Sequence, residues 1–262
     1  MSQRSLTRLA ELFFRRVLRR LNPSRSLFEI IDDIMRSVFE QELKHIRDGL
    51  AAMSTQAVTA TGRAVTALIQ RNYDEAREVK RDDKATDQLR YQVENECLLA
   101  MATQQPMARD ARELLAATIV AVELERCGDY AKGVAKAARR ITKCDSGMDN
   151  HNLPDMDRLS RDMLERSTQA FFNNDVAAAN QVLADDEKMD LLYNELLKQA
   201  MADMSSNPNH IECGTWLLHA GHCLERIGDR ATNIAERVIF VATGDNPGDL
   251  NVHDAGQARK LG

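Results

Sequence analysis

The sequence predicts an all-α protein built from two tandem three-helix bundles. Between residues 36 and 242 the apolar residues recur at the spacing of amphipathic helices, and no strand-like alternation persists. Prolines lie where helices are expected to end, because proline is rare inside a helix. The motif E-R-x-G-D occurs at residues 125–129 and again at residues 225–229, which indicates an internal duplication.

Six long antiparallel helices are predicted in this order: 36–71, 74–104, 107–141, 155–172, 175–205 and 209–242. Pro106 and Pro208 precede the two helices that carry E-R-x-G-D, and Pro154 opens the fourth helix. A helix over 107–141 would be about 50 Å long, which favours elongated bundles. The predicted organisation is a basic N-terminal extension (1–35), a first repeat (36–142), a second repeat (155–243) and a flexible tail (244–262).

The N-terminal segment differs in composition from the rest of the chain. Residues 1–25 carry a net charge of +6 against −5 for the whole chain, so residues 26–262 carry −11. Within residues 4–21 apolar side chains recur at helical spacing opposite arginines, without the apolar core of a signal peptide. Two interpretations stay open. One is an amphipathic helix on anionic lipid or a partner protein. The other is a mobile arm, or a start codon placed too early, since Met35 could also begin the chain.

The bulk composition argues against several classes of protein. An acidic body disfavours nucleic acid, since neutralising phosphates requires a basic surface. Five cysteines without a C-x-x-C pair do not suggest a disulfide framework, and no run approaches the roughly 18 apolar residues of a membrane span. The sequence therefore predicts a cytoplasmic protein that attracts cations.

Each half carries two carboxylate pairs spaced i,i+4, which places both members of a pair on one helix face. The pairs are Asp83 with Asp87, Glu125 with Asp129, Asp186 with Asp190, and Glu225 with Asp229. Like charges at this spacing repel by a few tenths of a kcal/mol, so a compensating charge is expected. Carboxylate oxygens are hard ligands that can bridge ions, and the pairs therefore predict multinuclear clusters of divalent or trivalent metal.

The second half adds three further candidate ligands on the arc of Glu225: His222, Asn233 and Glu236. An imidazole favours iron or zinc, with manganese or magnesium as alternatives. The first half has Gly133 and Lys136 at the positions of Asn233 and Glu236, so the second site is expected to bind more tightly. The alternative is a solvated acidic face with arginine partners, because Arg126 and Arg226 adjoin the acids.

Motifs for catalysis are missing from the sequence. It has no G-x-S-x-G, no P-loop and no G-x-G-x-x-G. Glu42-Leu-Lys-His45 is the only match to the Glu-x-x-His of di-iron oxidases, which need two. The sequence therefore predicts a protein that is not an enzyme.

Four segments and the duplication resemble the PhoU family of bacterial phosphate-uptake regulators. They are DDKATDQL (82–89), QPMARDARELL (105–115), LERCGDYAKGVAK (124–136) and LERIGDRATNIAE (224–236). The similarity covers roughly residues 37–243. It implies two three-helix bundles whose acidic motifs hold metal clusters at the eight carboxylates named above.

The resemblance also implies a cytosolic, non-enzymatic regulator that represses the phosphate-starvation response. Such proteins are thought to link the ATPase of the phosphate ABC transporter (PstB-like) to a sensor histidine kinase (PhoR-like). The sequence leaves monomer or homodimer undecided, although elongated amphipathic bundles often pair. In the first repeat Gly133 and Lys136 break the family's N-x-x-E, and His222 stands where an arginine is more usual. Two alternatives to this function stay open: a metal-buffering helical protein, and a regulator of another phosphate carrier.

Overall fold

The computed structural model describes residues 27–82, 84–144 and 149–245, and every regular element among them is helical. This confirms the predicted all-α class. The helices are α1 (Leu27–Ile69), α2 (Tyr73–Asp82), α3 (Lys84–Gln104), α4 (Arg109–Ile141), α5 (Leu153–Asn173), α6 (Val176–Ser206) and α7 (Ile211–Thr243), with a 3-10 turn over Pro208–His210.

Three expectations fall on residues that the structure does not describe. They concern the basic segment 4–21, Asp83, and the tail beyond residue 245. The single helix expected over 74–104 corresponds to α2 and α3, on either side of residue 83. No described helix combines the length and apolarity needed to cross a membrane.

Two units make up the chain, residues 1–44 and residues 45–262. In the described part of the first, Arg36 pairs with Glu40 at 3.1 Å and lies over the ring of Phe39. Ile34 and Met35 are exposed there. The features below all belong to the second unit.

Local sequence signals account for the helix boundaries of the second repeat. Asn174 ends α5 in the left-handed conformation (φ 51°), and Asp175 then caps α6 by accepting a hydrogen bond from the backbone N–H of Ala178 at 3.0 Å. Gly244 ends α7 with φ 84°, a conformation that glycine adopts without strain. These caps fix the lengths of α6 and α7, and hence which of their residues face one another.

The two repeats pack together through α4 and α7, the helices that carry E-R-x-G-D. Arg112 near the start of α4 donates to the carbonyl of Val241 at 3.2 Å, whereas Lys136 near its end lies over Trp216. The helices are therefore antiparallel. Both helices carry many small apolar residues that are fully or almost fully buried, among them Ala117, Ala131 and Ala231. Small side chains let the two backbones approach closely.

Elsewhere in the unit, α1 runs antiparallel to α5. The hydroxyl of Ser54 donates to that of Thr168 at 3.1 Å, and both residues are buried. Further along, the Gly62 backbone lies against Arg161, whose Nε would be 3.3 Å from an added Cβ. All five cysteines are buried as free thiols.

Candidate functional site

The acidic pairs of the second half come together between α6 and α7. We call Asp186, Asp190, Glu225 and Asp229 the second acidic cluster. Burial raises the pKa of Asp186, and the charges of Asp229 and Asp190 raise it further. Burial also raises the pKa of Glu225. The charges of Asp229 and Asp190 raise it further, whereas those of Arg226 and His222 lower it. The four carboxylates therefore share one electrostatic environment, as the i,i+4 pattern predicts.

The first half holds a comparable but smaller group. Asp87 on α3 and Glu125 and Asp129 on α4 form the first acidic cluster; Asp83 lies outside the described residues. Burial raises the pKa of Glu125, followed by the charge of Asp129, while Arg90 and Lys132 lower it and Asp87 raises it. This cluster therefore has basic neighbours from two helices.

Basic side chains partly neutralise both clusters. Arg226 donates through Nη1 to Oδ2 of Asp229 at 2.7 Å and through Nη2 to Oε1 of Glu225 at 3.2 Å. Lys132 pairs with Asp129 in the first cluster. Pairing of the acidic face with arginine, which the sequence left open as the alternative to metal binding, is thus present in the structure.

The donor set of the second cluster nevertheless suits a cation. Nδ1 of His222 lies 3.3 Å from Oε2 of Glu225. That oxygen is buried and accepts no hydrogen bond from a described residue, although Nε of Arg226 is 3.0 Å away. Within the described ranges, no three His, Cys, Asp or Glu side chains are arranged as ligands of one ion. A bound cation would therefore have to replace Arg226 and draw the carboxylates inward.

Two further predicted ligands make contacts elsewhere. The amide of Asn233 donates to Oε2 of Glu123 on α4 at 3.2 Å, so it takes part in the contact between the repeats. Glu236 has Nη2 of Arg237 3.8 Å from its Oε2.

Glu123 is a polar centre that the repeat pattern did not reveal. Only 7% of the residue is exposed, and Nη1 of Arg230 lies 3.2 Å from its Oε2, beside the amide of Asn233. Cys223 occupies the equivalent position in the second copy, so comparing the copies gives no signal. The only sequence signal for this centre is that Glu123 places a charge on the apolar face of α4, near the middle of the helix.

Packing explains both departures of the first copy. A Cβ on Gly133 would lie 2.6 Å from Sγ of Cys223, so glycine leaves the room that the thiol fills. Lys136 places its ammonium 5.6 Å from the centre of the Trp216 ring. The same two positions of the repeat meet twice: Glu123 contacts Asn233, and Gly133 contacts Cys223.

The fold and the site define an all-helical protein made of two repeats, each with its own acidic cluster. The family model described as the PhoU domain matches residues 50–138 and 153–238. The chain therefore belongs to the PhoU family, whose members are non-enzymatic accessory and regulatory proteins.

The relatives and solved structures agree with this assignment. The chain is 32% identical over 214 residues to a phosphate-specific transport system accessory protein PhoU homolog of Rhizobium meliloti (strain 1021), covering 80% of this chain and 90% of that protein. A homolog of the same name from Caulobacter vibrioides (strain NA1000 / CB15N) is 32% identical over 209 residues, with 79% and 90% covered.

The crystal structure of PhoU from Pseudomonas aeruginosa superposes with a TM-score of 0.76 at 30% identity, covering 79% of this chain and all of that chain. The regulatory protein PhoU from Streptococcus pneumoniae gives 0.74 at 26% identity, covering 79% of this chain and 98% of that chain. The resemblance and the duplicated three-helix architecture expected from sequence are thereby confirmed.

Proposed function

We propose that this protein represses phosphate uptake and the phosphate-starvation response. It would act as a cytoplasmic adaptor between the ATPase of a phosphate ABC transporter and a sensor histidine kinase. The supporting observation is the match to phosphate-specific transport system accessory proteins over about 90% of their length. The family model matches both repeats, at residues 50–138 and 153–238.

The geometry suits an adaptor because the two repeats form one packed body with several distinct faces. The α4–α7 contact joins the repeats through apolar surface and the Glu123 centre. The acidic clusters lie outside that contact, on the α3–α4 and α6–α7 sides. Two partners bound to different faces would each bias the other's affinity, which is thermodynamic coupling.

We propose further that the second acidic cluster binds metal cations, with His222 as an additional ligand and iron or zinc favoured over manganese or magnesium. The cation would neutralise Asp186, Asp190, Glu225 and Asp229; burial, and after it the neighbouring carboxylates, raise the pKa values of Asp186 and Glu225. The first cluster would bind more weakly, because the first repeat has Val122 where the second has the imidazole of His222.

The regulatory proposal is tested in cells that carry a reporter of phosphate-starvation genes. Removing the gene should raise reporter expression in high phosphate, and restoring it should repress the reporter again. Purified protein should also retain the kinase and the transporter ATPase in pull-downs. Equal expression with and without the gene, together with reversible metal binding and no retained partner, would favour metal buffering.

The metal proposal is tested by elemental analysis of the purified protein. Glu225→Ala/Asp229→Ala should lose most of the bound transition metal. The matched control is Glu165→Ala/Glu195→Ala, which removes two exposed carboxylates from α5 and α6. Equal metal content in both variants would contradict a site at the second cluster.

A further inference from the structure

Two cations of α4 lie on the single tryptophan of the chain. The ammonium of Lys136 is 5.6 Å from the centre of the Trp216 ring, and the guanidinium carbon of Arg140 is 5.5 Å from it. The two cations are spaced i,i+4 and so lie side by side on one face of the helix. Both residues are exposed, and Trp216 is partly so. We call Lys136, Arg140 and Trp216 the basic–aromatic patch.

The patch has no acidic counterpart among the described residues. Neither Lys136 nor Arg140 lies within 4 Å of a described carboxylate, whereas Arg226 and Arg230 each contact two. The positive field reaches a neighbour: burial lowers the pKa of His219, and the charge of Lys136 lowers it further. In a chain whose body is strongly acidic, two adjacent unpaired cations are a distinct surface.

The helix alone does not explain this arrangement. The negative end of the helix dipole favours cations in the last turn, which covers Arg139 and Arg140 but not Lys136 one turn earlier. Cation–π contact with the Trp216 ring holds both groups in place. It leaves their outward N–H groups available, so the patch is preorganised to meet negative charge.

The composition of the patch favours a protein partner over a small anion. Tryptophan and arginine are enriched at the energetic centres of protein interfaces. Small ligands prefer concave sites. The patch residues line neither the cavity of about 280 Å³ beside Arg63 and Lys132 nor the groove of about 590 Å³ beside Arg63 and Arg161. A partner must therefore bring its carboxylates to an open surface.

We propose that the basic–aromatic patch is a docking surface for an acidic helix of a partner protein. Carboxylates spaced i,i+4 on such a helix have the same separation as Lys136 and Arg140, so each could pair with one cation while the helix covers Trp216. The inference goes beyond the proposed regulatory function, because it holds whichever partner presents the acidic helix.

The probe is a fluorescein-labelled, aromatic-free helical peptide of about 20 residues, with alanine background and glutamates at i,i+4 spacing. Its binding to the full chain is measured by anisotropy at physiological salt. A peptide with glutamine in place of every glutamate is the sequence control. Emission from Trp216 locates the complex, because it is the only tryptophan in the chain.

We expect saturable binding of the glutamate peptide with a change in Trp216 emission, and no binding of the glutamine peptide. Lys136→Glu/Arg140→Glu should weaken binding at least tenfold. Lys80→Glu/Lys198→Glu changes the net charge equally at two exposed lysines on α2 and α6 and should leave binding within twofold. Circular dichroism checks the fold. If Lys136→Glu/Arg140→Glu does not fold, Lys136→Gln/Arg140→Gln should still weaken peptide binding measurably.

Several outcomes would overturn the proposal. They are no saturable binding, equal binding of both peptides, or equal losses in the patch and control variants. A Trp216 response to inorganic phosphate alone, or to phosphatidylcholine vesicles containing phosphatidylglycerol but not to the peptide, would assign the patch to a small anion or a lipid surface instead.

Discussion

Replacing Glu123 by alanine should cost about 2 kcal/mol of unfolding free energy, although the residue touches neither acidic cluster. The change leaves the guanidinium of Arg230 and the amide of Asn233 without their common acceptor between α4 and α7. Breaking a buried ion pair costs about 3–5 kcal/mol. We expect a cost below this range because Arg230 keeps Asp229 at 3.8 Å and is 16% exposed in its side chain.

The assay is chemical or thermal unfolding in the presence of a chelator, so that metal does not contribute. A loss of about 2 kcal/mol corresponds to a fall of roughly 4–8 °C in Tm for a chain of this size. The control Glu165→Ala removes an exposed glutamate and should stay within about 0.5 kcal/mol of the parent. Glu123→Gln keeps an oxygen acceptor and should lose less than Glu123→Ala.

A double-mutant cycle separates the pair from general damage to the core. Glu123→Ala and Arg230→Ala should couple by at least about 1 kcal/mol, because each single variant already abolishes the same contact. Additive effects, or a Glu123→Ala variant as stable as Glu165→Ala, would show that the contact contributes little and that apolar packing alone joins the repeats.

Three further outcomes are expected from the clusters and the helix crossing. Asp229→Asn should barely lower the metal-free Tm, or even raise it, because it relieves repulsion and keeps an oxygen that can accept from Arg226. It should reduce the Tm gain on adding metal, since a ligand stabilises the fold only where it binds. Equal Tm shifts with and without chelator would contradict the cluster. The raised pKa values of Asp186 and Glu225 mean that the folded state holds protons more tightly than the unfolded state, so their contribution to metal-free stability falls as pH rises through those values. As the pH falls from neutral toward the ordinary carboxyl pKa range, the Tm of the parent protein should therefore rise relative to the Tm of Asp186→Asn/Glu225→Gln. Parallel pH profiles of the two Tm values would refute the assignment. Gly133→Ala should cost about 1–3 kcal/mol by crowding Cys223, and Cys223→Ala should restore part of the loss; no rescue would mean that the thiol is not the obstacle.

Helical periodicity, prolines and the repeated motif were enough to predict the fold class, because each reports on local backbone preference. The clustering of Asp186 and Asp190 with Glu225 and Asp229 also follows from local geometry, since i,i+4 pairs on adjoining helices face one another in an antiparallel bundle. Asn233 shows where this reasoning ends. It lies about 80° around α7 from Glu225, and the sequence does not tell which neighbouring helix occupies that angle. In the fold that neighbour is α4, so the amide meets Glu123.

The pseudo-symmetric crossing of α4 and α7 gives a physical reason for the divergence of the two copies. Because the two helices are antiparallel, Glu123 of the first copy meets Asn233 of the second, and Cys223 of the second copy meets Gly133 of the first. The same two repeat positions therefore meet twice in the unit. At one end the contact is polar, with Glu123 accepting from Asn233; at the other it is tightly packed, with Cys223 filling the space above Gly133. A second copy of the polar contact would bury another charge near the same core, at a cost of several kcal/mol unless fully paired. The asparagine missing from the first copy is therefore explained by the contact between the repeats, and the cation affinity of each cluster should be judged from the carboxylates that face its own bundle.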